Sequence, residues 1–260
     1  MNSADRFSSH FSVSSFGQDM SILFAFDCDH TLTNEDLDVA VSKLGVQPLP
    51  PEIWALCDGH YWTEGTNALF RHLHSQKLGL DAIADRIKEI QLVNGMSQLI
   101  SSLIRKGKAH TTVISDANDF GISRILTQLI GDEEASKIPI LTNKSYITES
   151  GCLQIAPFHW QKDCIFCPPN LCKWKALSLY VQEHGPFDRI VYVGDGKNDI
   201  CPVTRLSKTD IVFARKGFDL QRIILAGEKN GVKVKVEANV KFWSDGFDIL
   251  KQNDLFNKTE

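Results

Sequence analysis

An unbroken apolar run, Ile22-Leu23-Phe24-Ala25-Phe26, stops abruptly at Asp27-Cys28-Asp29. It is too short for a helix of any weight and rich in aromatic and branched side chains, the composition of a strand buried on both faces. Such strands belong to parallel sheets clad by helices, and those sheets bind ligands at the carboxyl ends of their strands. The two aspartates stand at that end. Period-two geometry turns both to one side of the strand and Cys28 to the other.

The rest of the chain divides in two. Residues 33–95 carry helical spacing only: Val39–Leu44, a Pro48-Leu49-Pro50-Pro51 break, then Glu52–Asp58, Thr66–Gln76 and Leu80–Ile90. From Gly95 helices and strands alternate: helix Met96–Lys106, strand Ala109–Ile114, helix Phe120–Leu129, strand Ile138–Leu141, and a hairpin through Tyr146–Thr148 and Cys152–Ile155. After a cysteine-bearing loop come helix Cys172–Glu183, strand Arg189–Val193, helix Asn198–Leu206, strand Ile211–Phe213, helix Leu220–Ala226 and a last strand near Val232–Val240. This predicts an α/β fold, a Rossmann-like parallel sheet with helices on both faces, its core formed by residues 20–32 and 96–255. Residues 33–95 read as a helical cap inserted after the first strand. The serine-rich residues 1–19 read as a flexible leader.

A net charge of −4 offers no basic field for nucleic acid, so a small molecule is the expected partner. No apolar stretch reaches membrane-span length, and the first twenty residues lack a signal-peptide pattern, which predicts a cytoplasmic protein with no membrane contact. Seven cysteines without a secretory signal favour reduced thiols or a metal over a disulfide framework. The sequence fixes no oligomeric state.

A lone Asp-x-Asp is a weak signal and is often a solvated strand end. Paired with a phosphate ester, one carboxylate can attack phosphorus while the other protonates the leaving oxygen and then deprotonates water. Three later positions add to it. Ser115, ending the strand Thr111–Ile114, can donate to a phosphoryl oxygen, or simply cap a helix. Lys173, with Lys175 as competitor, can hold the nucleophile and the transferring group electrostatically. Gly194-Asp195-Gly196-Lys197-Asn198-Asp199 follows a buried strand and is rich in oxygens suited to Mg²⁺, which favours octahedral oxygen ligation. Asp27, the Asp29 carbonyl and Asp195 make a plausible ligand set, with Asp199 orienting them.

Asp27-x-Asp29-x-Thr31, Ser115, Lys173 and Gly194-Asp195-Gly196-x-x-Asp199, in this order, resemble the four motifs of haloacid dehalogenase superfamily phosphohydrolases. A closer resemblance covers nearly all of residues 21–250. Ile114–Asn118, His159 with Cys164-x-x-Cys167-Pro168-x-Asn170-x-Cys172-Lys173, Gly194–Pro202 and Arg215-Lys216-Gly217 are similar to the phosphoethanolamine/phosphocholine phosphatase group, which includes pyridoxal-phosphate phosphatases. The resemblance implies a haloacid dehalogenase-like core, Asp27 as nucleophile, Asp29 as acid/base, Asp38 and Asp116 on the substrate, Asp195 on Mg²⁺, and Lys173 over Lys175. The chain departs from its relatives at Cys28 and His30, where they usually carry Phe and Glu or Asn, and at Asn34 and Leu37. These positions flank the pocket and bear on the substrate.

Asp36, Asp38 and Asp116 beside a phosphate site would repel the substrate unless a positive group sits among them, which favours an amine-bearing phosphomonoester. Trp54, Tyr61 and Trp62 could add a cation–π face, although burial in the cap is the favoured reading of the two tryptophans. His159, Cys164, Cys167 and Cys172 could bind Zn²⁺ and fix the loop that delivers Lys173, or could be packed thiols or a labile disulfide. The reading is a Mg²⁺-dependent phosphomonoesterase acting through an aspartyl-phosphate. A pyrophosphatase or phosphotransferase of the same fold is the alternative enzyme, and a zinc-binding or regulatory phosphate-binding module the non-enzymatic one.

Overall fold

The computed structural model describes residues 20–58, 61–107 and 109–252, so the leader assigned to residues 1–19 and the end of the core at 253–255 lie outside the described residues. The chain runs β1 (Ile22–Phe26), α1 (Leu37–Ser42), α2 (Pro51–Asp58), α3 (Trp62–Ser75), α4 (Leu80–Lys88), α5 (Met96–Lys106), β2 (Ala109–Asn118), α6 (Asp119–Ile130) and α7 (Asp132–Ala135). It continues through β3 (Ile140–Ile147), β4 (Leu153–Ala156), α8 (Lys173–His184), β5 (Arg189–Gly194), α9 (Ile200–Val203), β6 (Ile211–Arg215) and α10 (Asp219–Ala226). The last elements are β7 (Glu228–Lys229), β8 (Val232–Lys233), β9 (Asn239–Trp243) and α11 (Gly246–Leu250).

Seven strands form one sheet in the order β4-β3-β2-β1-β5-β6-β9, parallel throughout except for β4. The apolar run is its middle strand. Ile22, Phe24, Phe26 and Cys28 face one core layer, which holds residues of α3–α6, and Leu23 and Ala25 face the other, which holds residues of α8–α10. Each large β1 side chain stabilises the fold by roughly 1.5–3 kcal/mol through burial. Cys28 thus points away from the side its neighbours Asp27 and Asp29 were expected to share. Helices α1–α4 intervene between β1 and α5. They are tied to the β3–β4 hairpin by Asn67, whose side chain bonds both the N–H and the carbonyl of Ile155, at 2.7 and 2.9 Å.

Several elements differ from the sequence reading. β2 continues through Ser115-Asp116-Ala117-Asn118, with a register shift between Ile114 and Asn118. The Asn143 amide supports this stretch by donating to the carbonyls of Asp116 and Ala117 at 2.6 and 2.8 Å. The strand at 138–141 and the first arm of the hairpin are one strand, β3. The helix expected at Asn198–Leu206 shrinks to α9, because the amides of residues 195 and 196 turn back onto the Asp199 carboxylate. The last strand, expected near Val232–Val240, is β9, Asn239–Trp243, at the sheet edge with Trp243 fully buried, while Val232–Lys233 form β8 of a separate hairpin with β7. Among the described residues no helix is long and apolar enough to cross a membrane.

Candidate active site

The ends of β1, β2 and β5 and the start of α8 meet in a cleft of about 850 Å³. At its base Asp27 receives the Lys173 ammonium at 2.7 Å and the Cys28 N–H at 2.7 Å, both on Oδ1. Lys173, the first residue of α8, is fully buried and also lies 2.7 Å from Asp199 Oδ1. Lys175, the competing lysine, is exposed. Burial opposes the Lys173 charge, and the carboxylates of Asp199 and Asp27 outweigh it, holding the ammonium well above its ordinary pKa.

Asp199 is saturated by the protein. Its Oδ1 also accepts from the Tyr192 hydroxyl at 2.6 Å, and its Oδ2 accepts from the amides of Asp195 and Gly196 at 2.9 and 2.8 Å. Gly194 makes this possible, because a Cβ there would lie 2.5 Å from Asp199 Oδ2. Asp195 stands beside this bracket, receiving the Thr31 hydroxyl at 3.4 Å. Carboxylate oxygens of Asp27, Asp195 and Asp199 lie within 4.8 Å of one another. Burial and the Asp199 charge push Asp27 well up and Asp195 to about 8. Three buried carboxylates with one ammonium leave a deficit of positive charge that fits a divalent cation, and the hard oxygen donors fit Mg²⁺. The Asp29 carboxylate points elsewhere, accepting the Leu37 N–H at 2.9 Å. Burial, followed by the charge of Asp36, raises its pKa well above the usual carboxylate range.

Ser115 is fully buried where β2 leaves its register with β3, and its Oγ accepts the Ala117 N–H at 3.2 Å. The helix-cap reading of Ser115 is not met, since Asn118 caps α6 by accepting the Gly121 N–H at 2.9 Å. Asp116 lines the cleft and is held by the Asn198 amide at 3.0 Å. Asp38 also lines it, bonded to the Thr66 hydroxyl at 2.6 Å, and burial with the nearby Asp36 charge lifts its pKa to about 7. The favoured burial of both tryptophans in the cap is not met: Trp54 is 37% exposed and Trp62 lines the cleft. His30 reaches the cleft from the left-handed backbone region, at φ 52°, with its carbonyl held by Arg215 and its ring 5.5 Å from that of Phe218.

The cysteine cluster differs in membership. Cys164, Cys167 and Cys172 converge on Cys201, with all four sulfurs within 4.8 Å of one another. His159 stands aside, and its Nε2 accepts the Cys172 N–H at 3.2 Å. Sequence reasoning also missed Tyr192 and Asn198 as partners of Asp199 and Asp116. A tyrosine inside the valine-rich run of β5 was a usable signal, because a buried hydroxyl needs a partner.

With this geometry in view, the family described as "Putative Phosphatase" matches residues 22–255. The chain belongs to that phosphatase family. It is 32% identical over 233 residues to the phosphoethanolamine/phosphocholine phosphatase of Homo sapiens, spanning 87% of this chain and 86% of the relative. It is 29% identical over 237 residues to the pyridoxal phosphate phosphatase PHOSPHO2 of Mus musculus, spanning 89% and 96%. Among solved structures, a phosphoserine phosphatase in its apo form superposes with TM-score 0.54 at 19% identity, covering 90% of this chain and 98% of that one, which shows the shared haloacid dehalogenase-like fold.

Proposed function

We propose that this phosphatase hydrolyses a small phosphomonoester through an aspartyl-phosphate on Asp27, with the ammonium-bearing esters phosphoethanolamine and phosphocholine favoured by the acidic wall and pyridoxal 5'-phosphate, which has no amine, as the other leading substrate. The observation that carries the reading is Lys173, a buried ammonium 2.7 Å from both Asp27 and Asp199 at the base of the cleft. It pins Asp27 Oδ1, leaving Oδ2 to attack phosphorus. As the new P–O bond forms, the ester P–O bond breaks and the departing oxygen takes a proton from Asp29, whose pKa is raised by burial and by the charge of Asp36. The resulting Asp29 carboxylate then removes a proton from water. The hydroxide displaces Asp27, releasing inorganic phosphate and restoring both groups.

Ser115 donates to a phosphoryl oxygen, and Asp199 keeps Lys173 aimed. When bound by Asp27, Asp195 and the Asp29 carbonyl, Mg²⁺ supplies positive charge for the phosphoryl oxygens and offsets their repulsion from the carboxylates. Asp38 and Asp116 receive the substrate's cationic end, with Trp62 beside them. Residues 33–95 act as the cap that carries Asp38 and Trp62 to the cleft.

Initial rates over phosphoethanolamine, phosphocholine, pyridoxal 5'-phosphate, pyrophosphate and glycerol phosphate, with and without Mg²⁺, test the assignment. Hydrolysis should require Mg²⁺ and favour the amine-bearing esters. Asp27→Asn should lower kcat by at least 10³-fold, with an unchanged circular dichroism spectrum. A folded Asp27→Asn protein with ordinary turnover excludes the mechanism, and a preference for pyrophosphate points to the alternative enzyme.

A further inference from the structure

The four converging cysteines come from two segments that meet only in the folded chain: Cys164, Cys167 and Cys172 from the loop before α8, and Cys201 from α9. Cys164 Sγ lies 3.3 Å from Cys201 Sγ, and Cys172 Sγ lies 3.7 Å from it. A tetrahedral site with Zn–S bonds near 2.3 Å has S···S edges of about 3.8 Å. The cluster therefore already has the dimensions of a single tetrahedral ion. All four are free cysteines.

One backbone amide also meets the cluster: the Lys173 N–H donates to Cys167 Sγ at 3.4 Å, a contact that favours thiolate charge. The ammonium of Lys229 adds a cation close by. It donates to the carbonyls of Phe166 and Lys197 at 3.1 and 2.8 Å and so ties the cysteine loop to the Gly194–Asp199 turn.

We infer that Cys164, Cys167, Cys172 and Cys201 form a closed structural Zn²⁺ site that fastens the loop preceding Lys173 to the turn bearing Asp195 and Asp199. Binding releases the four thiol protons to solvent and leaves a tetrathiolate complex of net charge −2. With no open coordination position, the ion takes no part in phosphoryl transfer. Its role is positional: Cys172 directly precedes Lys173, and Cys201 follows Asp199 by two residues. His159 orients the Cys172 amide and is not a ligand.

Metal analysis tests the site without reference to activity, so its outcome is separate from that of the phosphatase mechanism. Full-length protein, purified under reducing conditions with Mg²⁺ and passed over a chelating resin, should retain one zinc per chain. Exchange with Co²⁺ should give the intense visible bands and sulfur-to-cobalt charge transfer of a tetrahedral thiolate site. Cys201→Ser should lower zinc content at least twofold and weaken the charge-transfer band, while His159→Ala should change neither. Wild-type protein that holds no zinc and whose cysteines all react as free thiols overturns the site, as does iron in its place. Full zinc retention in Cys201→Ser overturns the ligand set. Should that variant fail to fold, the wild-type zinc content and cobalt spectrum still decide.

Discussion

The two acidic walls of the cleft are built on opposite plans. In the turn after β5, every oxygen of Asp199 is met by a protein donor, and the Lys173 ammonium links it to Asp27. In the segment from Asp29 to Asp38 the carboxylates receive only neutral donors: the Leu37 and Val39 amides on Asp29 and Asp36, and the Thr66 hydroxyl on Asp38. Asp116, opposite them, has the neutral Asn198 amide. Among the described residues none of these four forms an ion pair. The first wall is a preorganised holder in which Lys173 offsets part of the charge of Asp27 and Asp199 from within the fold, leaving a deficit that fits a divalent cation. The second stores unfavourable like charge, which a cationic ligand relieves.

Removing Lys173 attacks the first wall at its centre. Lys173→Met leaves Asp27 and Asp199 buried without their cation, and breaking a buried pair from one side costs about 3–5 kcal/mol. Chemical denaturation should show a loss of that order. Phosphatase activity should fall by 10³-fold or more. Lys175→Met, on the exposed lysine, should leave both within a factor of two. Equal effects from the two variants would remove the distinction between Lys173 and its neighbour.

How much of this could be read from the residues depends on the range of the interaction. The run Ile22–Phe26 announced a buried strand, and the strand-end positions of Asp27 and Asp195 followed from the alternation of elements, because burial and periodicity are local properties, whereas Ser115, read as a strand end, lies inside β2. Cys201 was missed because its partners lie 29 to 37 positions earlier, and it meets them only through the packing of α9 against α8. His159 was chosen for its nearness in sequence, which is a poor guide to nearness in space. The last strand also lies later than expected: the sheet edge went to β9, which offered Trp243 to the core.

The uncompensated wall predicts the opposite sign of stability change. Burial and the charge of Asp36 raise Asp38 to about 7 in the folded protein, above its unfolded value near 3.8. A carboxyl raised in this way contributes stability that is fully present below the unfolded pKa and is lost as pH rises through the folded one. Asp38→Asn should therefore raise Tm by on the order of a few degrees at pH 8 and leave it nearly unchanged at pH 4. In the wild type, the charge that destabilises the fold above pH 7 is the charge an amine needs. KM for phosphoethanolamine should fall between pH 6 and pH 8 relative to that for glycerol phosphate, and Asp38→Asn should abolish the difference. A variant less stable at pH 8, or one that keeps the pH-dependent preference for the amine, would show that the wall holds no stored charge.

Trp62 gives the smallest effect and the finest division. It lines the cleft beside Asp38, so it can meet the substrate's cationic end with a ring face. Such a contact contributes about 0.5–2 kcal/mol, depending on how far the cation is desolvated. Trp62→Leu keeps apolar bulk and removes the aromatic face. It should raise KM for phosphocholine several-fold with kcat little changed, while the neutral ester is barely affected. Phosphocholine should suffer more than phosphoethanolamine, because a quaternary ammonium cannot donate hydrogen bonds to Asp38 or Asp116 and depends more on the ring. A fall in kcat common to all substrates would instead assign Trp62 to packing within the helices over the site.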